Sequence, residues 1–355
     1  MNVGAPGGGG TLARLIAEST AVRGQVDVLN RQVATGRISD TFGGLGAGAR
    51  ASLTLRPQIA RAETWQSNID AAQGRLDVSQ SALKDAAKIA ADFYADTNKL
   101  SNLDSFQVDS VAGAARLALE AMTGLLNSRS GETYIFAGED AANPPIPDAE
   151  NILTSPFVTN IRAAVQGLAA NGAAATVAAT LDTASGVSPF SSTLVALGGA
   201  SGGDAVPRIE VGEGQYVQIG VLADRNTLAV SEGASTTGSY MRDVMRALAT
   251  IGSLSGAQAT TPGFVALVAD TRSSLGGAIK AMSEEAGTLG NLQAGLDTRK
   301  VRLADQAVVL KGQLSSVEEV DMAEAWSRLT EARTQLQASY QLISGTRGLS
   351  LVDFL

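Results

Sequence analysis

A chain of 355 residues that is 45% hydrophobic but only 4% aromatic must build its core from Ala, Leu, Val and Ile, which suits narrow seams between helices. The absence of Cys and His excludes disulfide bonds, thiolate zinc sites, thiol nucleophiles and histidine bases. A formal net charge of -8 argues against a nucleic-acid interface, which needs a basic face.

The first ten residues include four consecutive glycines and lack the basic and apolar regions of a cleaved signal peptide. No stretch of the sequence is long and apolar enough to span a bilayer. We therefore expect no membrane insertion, and any export must use a route that needs no cleaved signal peptide.

Apolar and small residues recur with heptad spacing near the N-terminus. The residues in the two series are Leu12, Leu15, Ser19, Val22, Val26, Leu29 and Val33. This spacing predicts an amphipathic helix from about Thr11 to Ala34, which Gly36 ends. A glycine-rich loop is predicted at residues 39–48.

Two further helices are predicted, at about residues 52–99 and 105–128. The first has a seam of Ile69, Leu76 and Leu83, with Pro57 near its start or at a kink. After the second, the sequence GETYIFAG at 131–138 predicts a hairpin within residues 131–140. The residues that define this hairpin motif are Tyr134, Ile135, Phe136 and Gly138.

Residues 148–235 differ in composition and predict a small β-rich module. One amphipathic helix is expected near Phe157–Leu168, and residues 173–205 could be loop or loosely packed strand. Apolar residues then alternate with polar ones between Ile209 and Val221, and a further strand is expected at residues 227–230.

Helix is predicted to return at about Ser239, with breaks near residues 253–263 and 276–277. A heptad series follows, comprising Leu289, Leu296, Leu303, Leu310 and Val317. The last helix, at about 320–345, has its own series of Met322, Leu329, Leu336 and Ile343. The two series differ in phase, which predicts a kink or break near residues 315–319.

The sequence thus predicts a mainly α fold, a long antiparallel helical bundle or coiled coil formed by both termini, with an inserted small β-rich module. The expected segments are an N-terminal assembly helix (1–36), two halves of a helical stalk (37–147 and 236–318), an outer module (148–235) and a C-terminal assembly helix (319–355). The predicted stalk core comprises Ile69, Leu76, Leu83, Leu289, Leu296, Leu303 and Leu310.

Three stretches resemble the bacterial flagellin superfamily. The segment Asp321–Leu355 is similar to its C-terminal signature, and Ala34–Asp40 (ATGRISD) is similar to its turn after the first helix. Thr133–Asp140 (TYIFAGED), followed by Pro144-Pro145, most resembles the hook-associated branch that joins hook to filament.

The resemblance implies a structural, extracellular subunit of the bacterial flagellum that assembles through paired terminal helices. It implies as partners other copies of the chain, neighbouring hook-associated and flagellin subunits, and an export chaperone; it implies no cofactor. The expected assembly residues are Leu12, Leu15, Val22, Val26, Leu29, Met322, Leu329, Leu336, Ile343, Leu351, Phe354 and Leu355.

Other interpretations stay open from the sequence. The heptads at 55–130 and 265–315 are also typical of an ordinary intramolecular core. The pairs Glu284-Glu285 and Glu318-Glu319 are interpreted as solvated helix faces rather than acid–base pairs. A filament flagellin or an intracellular coiled-coil adaptor would share the helical pattern, whereas an enzyme would need converging polar residues in the outer module.

Overall fold

The computed structural model describes residues 8–100, 104–197 and 205–352, without the side chains of residues 8–12 and 346–352. Most of these residues are helical, which confirms the mainly α fold. The helices are α1 (Gly8–Thr35), α2 (Ala49–Leu100), α3 (Ser105–Leu126), α4 (Pro156–Gln166), α5 (Leu168–Ser185), α6 (Ser192–Leu197), α7 (Tyr240–Gly252), α8 (Phe264–Glu318) and α9 (Met322–Val352). Two antiparallel hairpins pair β1 (Arg129–Ser130) with β2 (Thr133–Tyr134) and β3 (Arg208–Gly212) with β4 (Gln215–Gln218).

The chain forms two compact units. The terminal unit takes the described residues up to Thr64 and those from Leu303 onward, and the central unit runs from Trp65 to Arg302. Both α2 and α8 contribute residues to each unit. The five segments expected from the sequence divide the chain differently from these two units, and they remain a prediction.

In the terminal unit, α1 packs against α9. Gly36, with φ +70°, ends α1 in a left-handed conformation that favours glycine. The predicted break before the last helix is confirmed, since α8 ends at Glu318 and α9 begins at Met322. Asp321 caps α9, because its carboxylate accepts the backbone N–H groups of Ala323 (2.8 Å) and Glu324 (3.1 Å).

In the central unit, α2 and α8 run antiparallel. Lys300 Nζ lies 2.5 Å from Asp70, whereas Arg272, 28 residues earlier on α8, donates to Asn98 near the end of α2 at 2.6 Å. Apolar residues fill the seam between them and are buried: Ile69, Leu76, Leu83, Leu289 and Leu296. The third helix, α3, packs against α7, which is buried around its whole circumference.

The break predicted near residues 276–277 is wrong, because α8 continues from Phe264 to Glu318. A glycine inside a helix costs only about 1 kcal/mol, so it weakens a helix without ending it. Both glycines serve close packing here. A Cβ on Gly276 would lie 3.3 Å from the ring of Tyr94, and one on Gly277 would lie 3.3 Å from the carbonyl oxygen of Glu232.

The inserted segment contains the predicted hairpin, as β3 and β4, and the helix near Phe157, as α4. Residues 173–205, for which the sequence left loop and strand open, instead contribute to α5 and α6 as far as residue 197. The strand predicted at residues 227–230 is wrong. The N–H groups of Leu228 and Ala229 donate to the carboxylate of Glu285, at 3.0 and 2.7 Å, rather than to a neighbouring strand.

Replacing Leu303 by Asp should destabilise the protein by on the order of 3–5 kcal/mol, since this side chain is only 7% exposed and the change buries a charge. A loss of that size is comparable to the whole stability of a small domain, so the thermal midpoint should fall steeply. The matched control is Val308→Asp on the same helix, where the side chain is 69% exposed. Equal melting of both variants would show that the seam has been assigned to the wrong face.

Candidate assembly interface

The terminal helices share a small apolar core. Val26 and Leu29 of α1 pack with Leu329 and Ala332 of α9, and the partly buried Val33 and Leu336 lie against them. Ala332 lies in this core, and Ala325, one heptad earlier on α9, is also buried, but each contributes little apolar surface of its own. The pair is therefore held by few large side chains.

The predicted assembly residues differ in their burial. Leu15, Val22 and Ile343 are partly buried beyond this core, while Met322 is exposed. Leu12 and Leu351 lie on α1 and α9 where side chains are not described, and Phe354 and Leu355 lie outside the described residues.

Several large apolar side chains of the terminal helices face solvent, and none was singled out by the heptad pattern. They are Ile16, Val28, Trp326, Tyr340 and Leu342. Trp326, with half its surface exposed, is the largest of them. Such residues on both helices leave an apolar surface that a partner could cover.

The two helices run antiparallel. Backbone hydrogen bonds join the residues just after α1 to those just before α9. The N–H group of Ile38 donates to the carbonyl of Glu318 (2.7 Å), and that of Val320 donates to the carbonyl of Gly36 (3.0 Å). This short bridge pairs the turn after α1 with the break between α8 and α9. Farther along, Arg333 of α9 donates to Asn30 of α1 at 2.8 Å.

The side chain of Glu318 locks this junction to α2. Arg56 donates two hydrogen bonds to the carboxylate, from Nε (2.7 Å) and Nη2 (2.6 Å), and Ser52 donates a third. The hydrogen bonds from Arg56 have the largest effect on the pKa of Glu318, followed by the one from Ser52, and together they lower it to about 2. The nearby charge of Arg37 also lowers this pKa. We call this arrangement the Glu318 clasp.

The interpretation of both glutamate pairs as solvated faces is wrong for one member of each. Glu318 is buried in the clasp, and Glu285 is buried under the 227–229 backbone. Ser52 and Arg56 are four residues apart and so share a face of α2, but their partner lies 262 residues from Arg56. No local pattern in the sequence could have linked them.

The hairpin motif belongs to the interior of the central unit. Ile135 and Phe136 are fully buried, and Arg75 donates to the carbonyl of Ile135 at 3.1 Å. Gly138 has φ +65°, and a Cβ there would approach the carbonyl oxygen of Ala205 to 2.4 Å, so only glycine fits. Tyr134 is half-buried beneath the guanidinium of Arg129.

Buried charged side chains of the central unit form hydrogen bonds with irregular backbone segments. Asp243 accepts from the backbone and hydroxyl of Thr237, and Arg246 donates to the carbonyl of Ser235 at 3.1 Å. Burial raises the pKa values of Asp243 and Glu285 above their ordinary range. Across the part of the chain that the structure describes, no group of acidic side chains is placed to hold a metal ion.

Within the same ranges, no helix combines the length and apolar character needed to cross a membrane.

Two protein-family models match the chain. The bacterial flagellin N-terminal helical region matches residues 13–140, and the bacterial flagellin C-terminal helical region matches residues 273–355. Together they cover more than half of the chain. A search of curated proteins gives no match.

Acid should weaken the Glu318 clasp. Because the pKa of Glu318 is about 2 in the folded chain and near 4.5 when unfolded, its stabilising effect is complete above pH 4.5 and is lost as the pH falls toward 2. Glu318→Gln should lower the melting temperature at neutral pH and flatten its decline between pH 4.5 and about 2.5. Circular dichroism melts measure both effects.

The matched control for that experiment is Glu324→Gln, which changes an exposed carboxylate on α9. The buried Asp243 and Glu285 are present in every variant, so their opposite pH dependence cancels in the comparison. An unchanged melting curve for Glu318→Gln would contradict a stabilising clasp.

The rate of backbone amide hydrogen exchange should vary along the terminal helices of the free subunit. We expect the slowest exchange at residues 26–33 and 329–336, where the shared core lies, and fast exchange at 13–20 and 340–345. Assembly should slow exchange along the whole length of both helices. Uniformly slow exchange in the dilute monomer would instead indicate a self-contained helix pair.

Proposed function

We propose that this chain, which belongs to the bacterial flagellin family, is the subunit that joins the hook to the filament. The family consists of structural, non-enzymatic subunits that self-assemble into the extracellular flagellum. The chain is accordingly a structural subunit of the flagellum. Its place within that polymer is the part that we propose.

One observation carries the junction assignment, namely the segment TYIFAGED followed by Pro144-Pro145, which resembles the hook–filament junction branch. Because the middle of this segment is buried, its packing depends on these particular residues. The carbonyl of Phe136 accepts from the N–H of Ala223 (3.0 Å), and the N–H of Glu139 donates to the carbonyl of Ala205 (3.1 Å), so the motif fixes the inserted segment to the end of α3. A role in shaping the central unit follows.

The terminal helices support assembly by the predicted residues. The shared core leaves Leu15, Val22 and Ile343 only partly buried and Met322, Trp326 and Tyr340 exposed. Burying one such large side chain contributes about 1.5–3 kcal/mol, so neighbouring subunits that cover several of them would order both helices. We propose that Leu12, Leu351, Phe354 and Leu355 extend the same contact.

We further propose, from the resemblance, that the chain is exported without a cleaved signal peptide and is escorted by an export chaperone. Its neighbours would be other copies, hook-associated subunits and flagellin. A filament subunit would contain the same two helical regions, so it is the alternative that the experiment must separate from the junction role.

Deleting the gene and imaging the cells separates the two roles. A junction mutant should keep its hooks, lack filaments and shed flagellin into the medium, because exported flagellin then has no site on which to assemble. A filament-subunit mutant should also lack filaments but should shed no other flagellin. Gold labelling of the complemented strain gives a second readout, since a junction subunit should be confined to the hook tip.

A plasmid copy of the intact gene provides the control for that deletion, and a copy with Ile135→Asp and Phe136→Asp tests the motif. The double variant should fail to restore filaments, because it places two charges in the interior of the central unit. Label along the whole filament in the complemented strain would contradict the junction assignment and favour a filament subunit.

A further inference from the structure

A cleft of about 360 Å³ lies in the terminal unit, between the last two turns of α1 and the segment 37–44 that follows it. Its α1 wall consists of Val28, Arg31, Gln32 and Thr35. A volume of this size is large enough for a side chain with its neighbouring backbone.

The cleft lies on the side of α1 that α9 leaves uncovered. At about 100° per residue, the direction of its α1 wall differs by roughly 140° from that of the seam formed by Val22, Val26, Leu29 and Val33. A group that enters the cleft therefore does not compete with the pairing of α1 and α9.

The backbone and polar groups around the cleft mostly bond to one another. Gln32 donates to the carbonyl of Ile38 (2.9 Å), Thr35 donates to the carbonyl of Arg31 (2.8 Å), and the hydroxyl of Ser39 accepts the N–H of Thr41 (3.1 Å). These bonds fix the walls of the cleft and leave its charged groups as the recognition elements.

Three charged residues are among those that line the cleft, namely Arg31, Arg37 and Asp40. The charge of Arg37 also acts on the Glu318 clasp. Among the residues that the structure describes, none forms an ion pair or side-chain hydrogen bond with the guanidinium of Arg31. By contrast, Arg14 pairs with Glu18. Within the described part of the chain, the cleft thus has a positive charge without a partner.

We propose that this cleft receives an Asp or Glu side chain of a neighbouring copy of the chain, with Arg31 as the principal donor. A guanidinium fork and a carboxylate form the strongest type of charge-assisted pair. The chain has 35 acidic residues against 27 basic ones, so a second copy supplies such groups.

This inference rests on the proposed function in so far as it requires assembly from copies of the chain. The cleft and the acidic group that fills it are different surfaces. The contact is therefore heterologous, of the kind that continues from subunit to subunit around a ring or along a helix.

The test uses flagella from cells whose only copy of the chain carries Arg31→Lys, which keeps the charge and introduces an amine. Treatment with a carbodiimide joins that amine to a carboxylate in direct contact. We expect a product of twice the chain's mass, in which peptide mass spectrometry finds the introduced amine joined to an Asp or Glu of a second copy. Arg23→Lys, exposed on the same helix and outside the cleft, is the control and should give no such product.

Three results would overturn the proposal: a link from the introduced amine to Asp40 of its own chain alone, a link to a different flagellar protein, or no link from that amine. A second variant, Arg31→Gln, should reduce the amount of the chain retained on washed flagella by about fivefold, as the loss of one charged pair predicts. The control Arg23→Gln should be retained like the wild type.

The two proposals can fail separately. Gold labelling along the filament would contradict the junction role, yet it would leave intact a link between copies formed by the Arg31→Lys variant. Labelling confined to the hook tip without such a link would overturn the cleft contact and leave the junction role standing.

Discussion

The terminal unit depends on one buried carboxylate. Glu318 ends α8, accepts two hydrogen bonds from Arg56 and one from Ser52 on α2, and through its carbonyl accepts the N–H of Ile38 in the turn after α1. A single residue thus connects three segments that are far apart in sequence. Removing Arg56 would leave the buried carboxylate of Glu318 without its charged partner, which is costly. The clasp therefore holds the end of α8 against α2, next to the backbone hydrogen bonds that join the turn after α1 to the start of α9.

Local periodicity was sufficient to predict the long helices but not α5 and α6. Heptad spacing located α1, α2, α8 and α9 to within a few residues at most of their ends, because each helix buries a stripe that recurs with its own period. The same reasoning failed for Glu318, since its partners lie on another helix. It also failed at 276–277, where glycines serve close packing against Tyr94 and the backbone of residue 232. Sequence patterns miss both features because each depends on contacts between segments that are distant in sequence.

The segment at 227–230 illustrates a second limit. Its short run of β-branched and apolar residues is typical of a strand, but a strand needs a neighbour with free backbone groups. Here the buried Glu285 accepts the N–H groups of Leu228 and Ala229 in place of a strand. Burial raises the pKa of Glu285 while these backbone N–H groups lower it, so the site is stabilised by the backbone that it orders. The strand prediction failed because the sequence of residues 227–230 does not show that Glu285, more than 50 residues away, accepts their N–H groups.

The contrast between the two units has a functional consequence. The central unit buries large residues such as Phe136, Phe157 and Phe264. It also buries the carboxylates of Asp243 and Glu285, which accept hydrogen bonds from the backbone. The terminal pair buries only a short stretch of its seam and leaves Trp326 and Tyr340 exposed. Helices with so little burial gain most of their stability from whatever covers them. A subunit built in this way can keep a folded centre before assembly while its ends become fully ordered only among neighbours, which couples the order of the terminal helices to their place in the polymer.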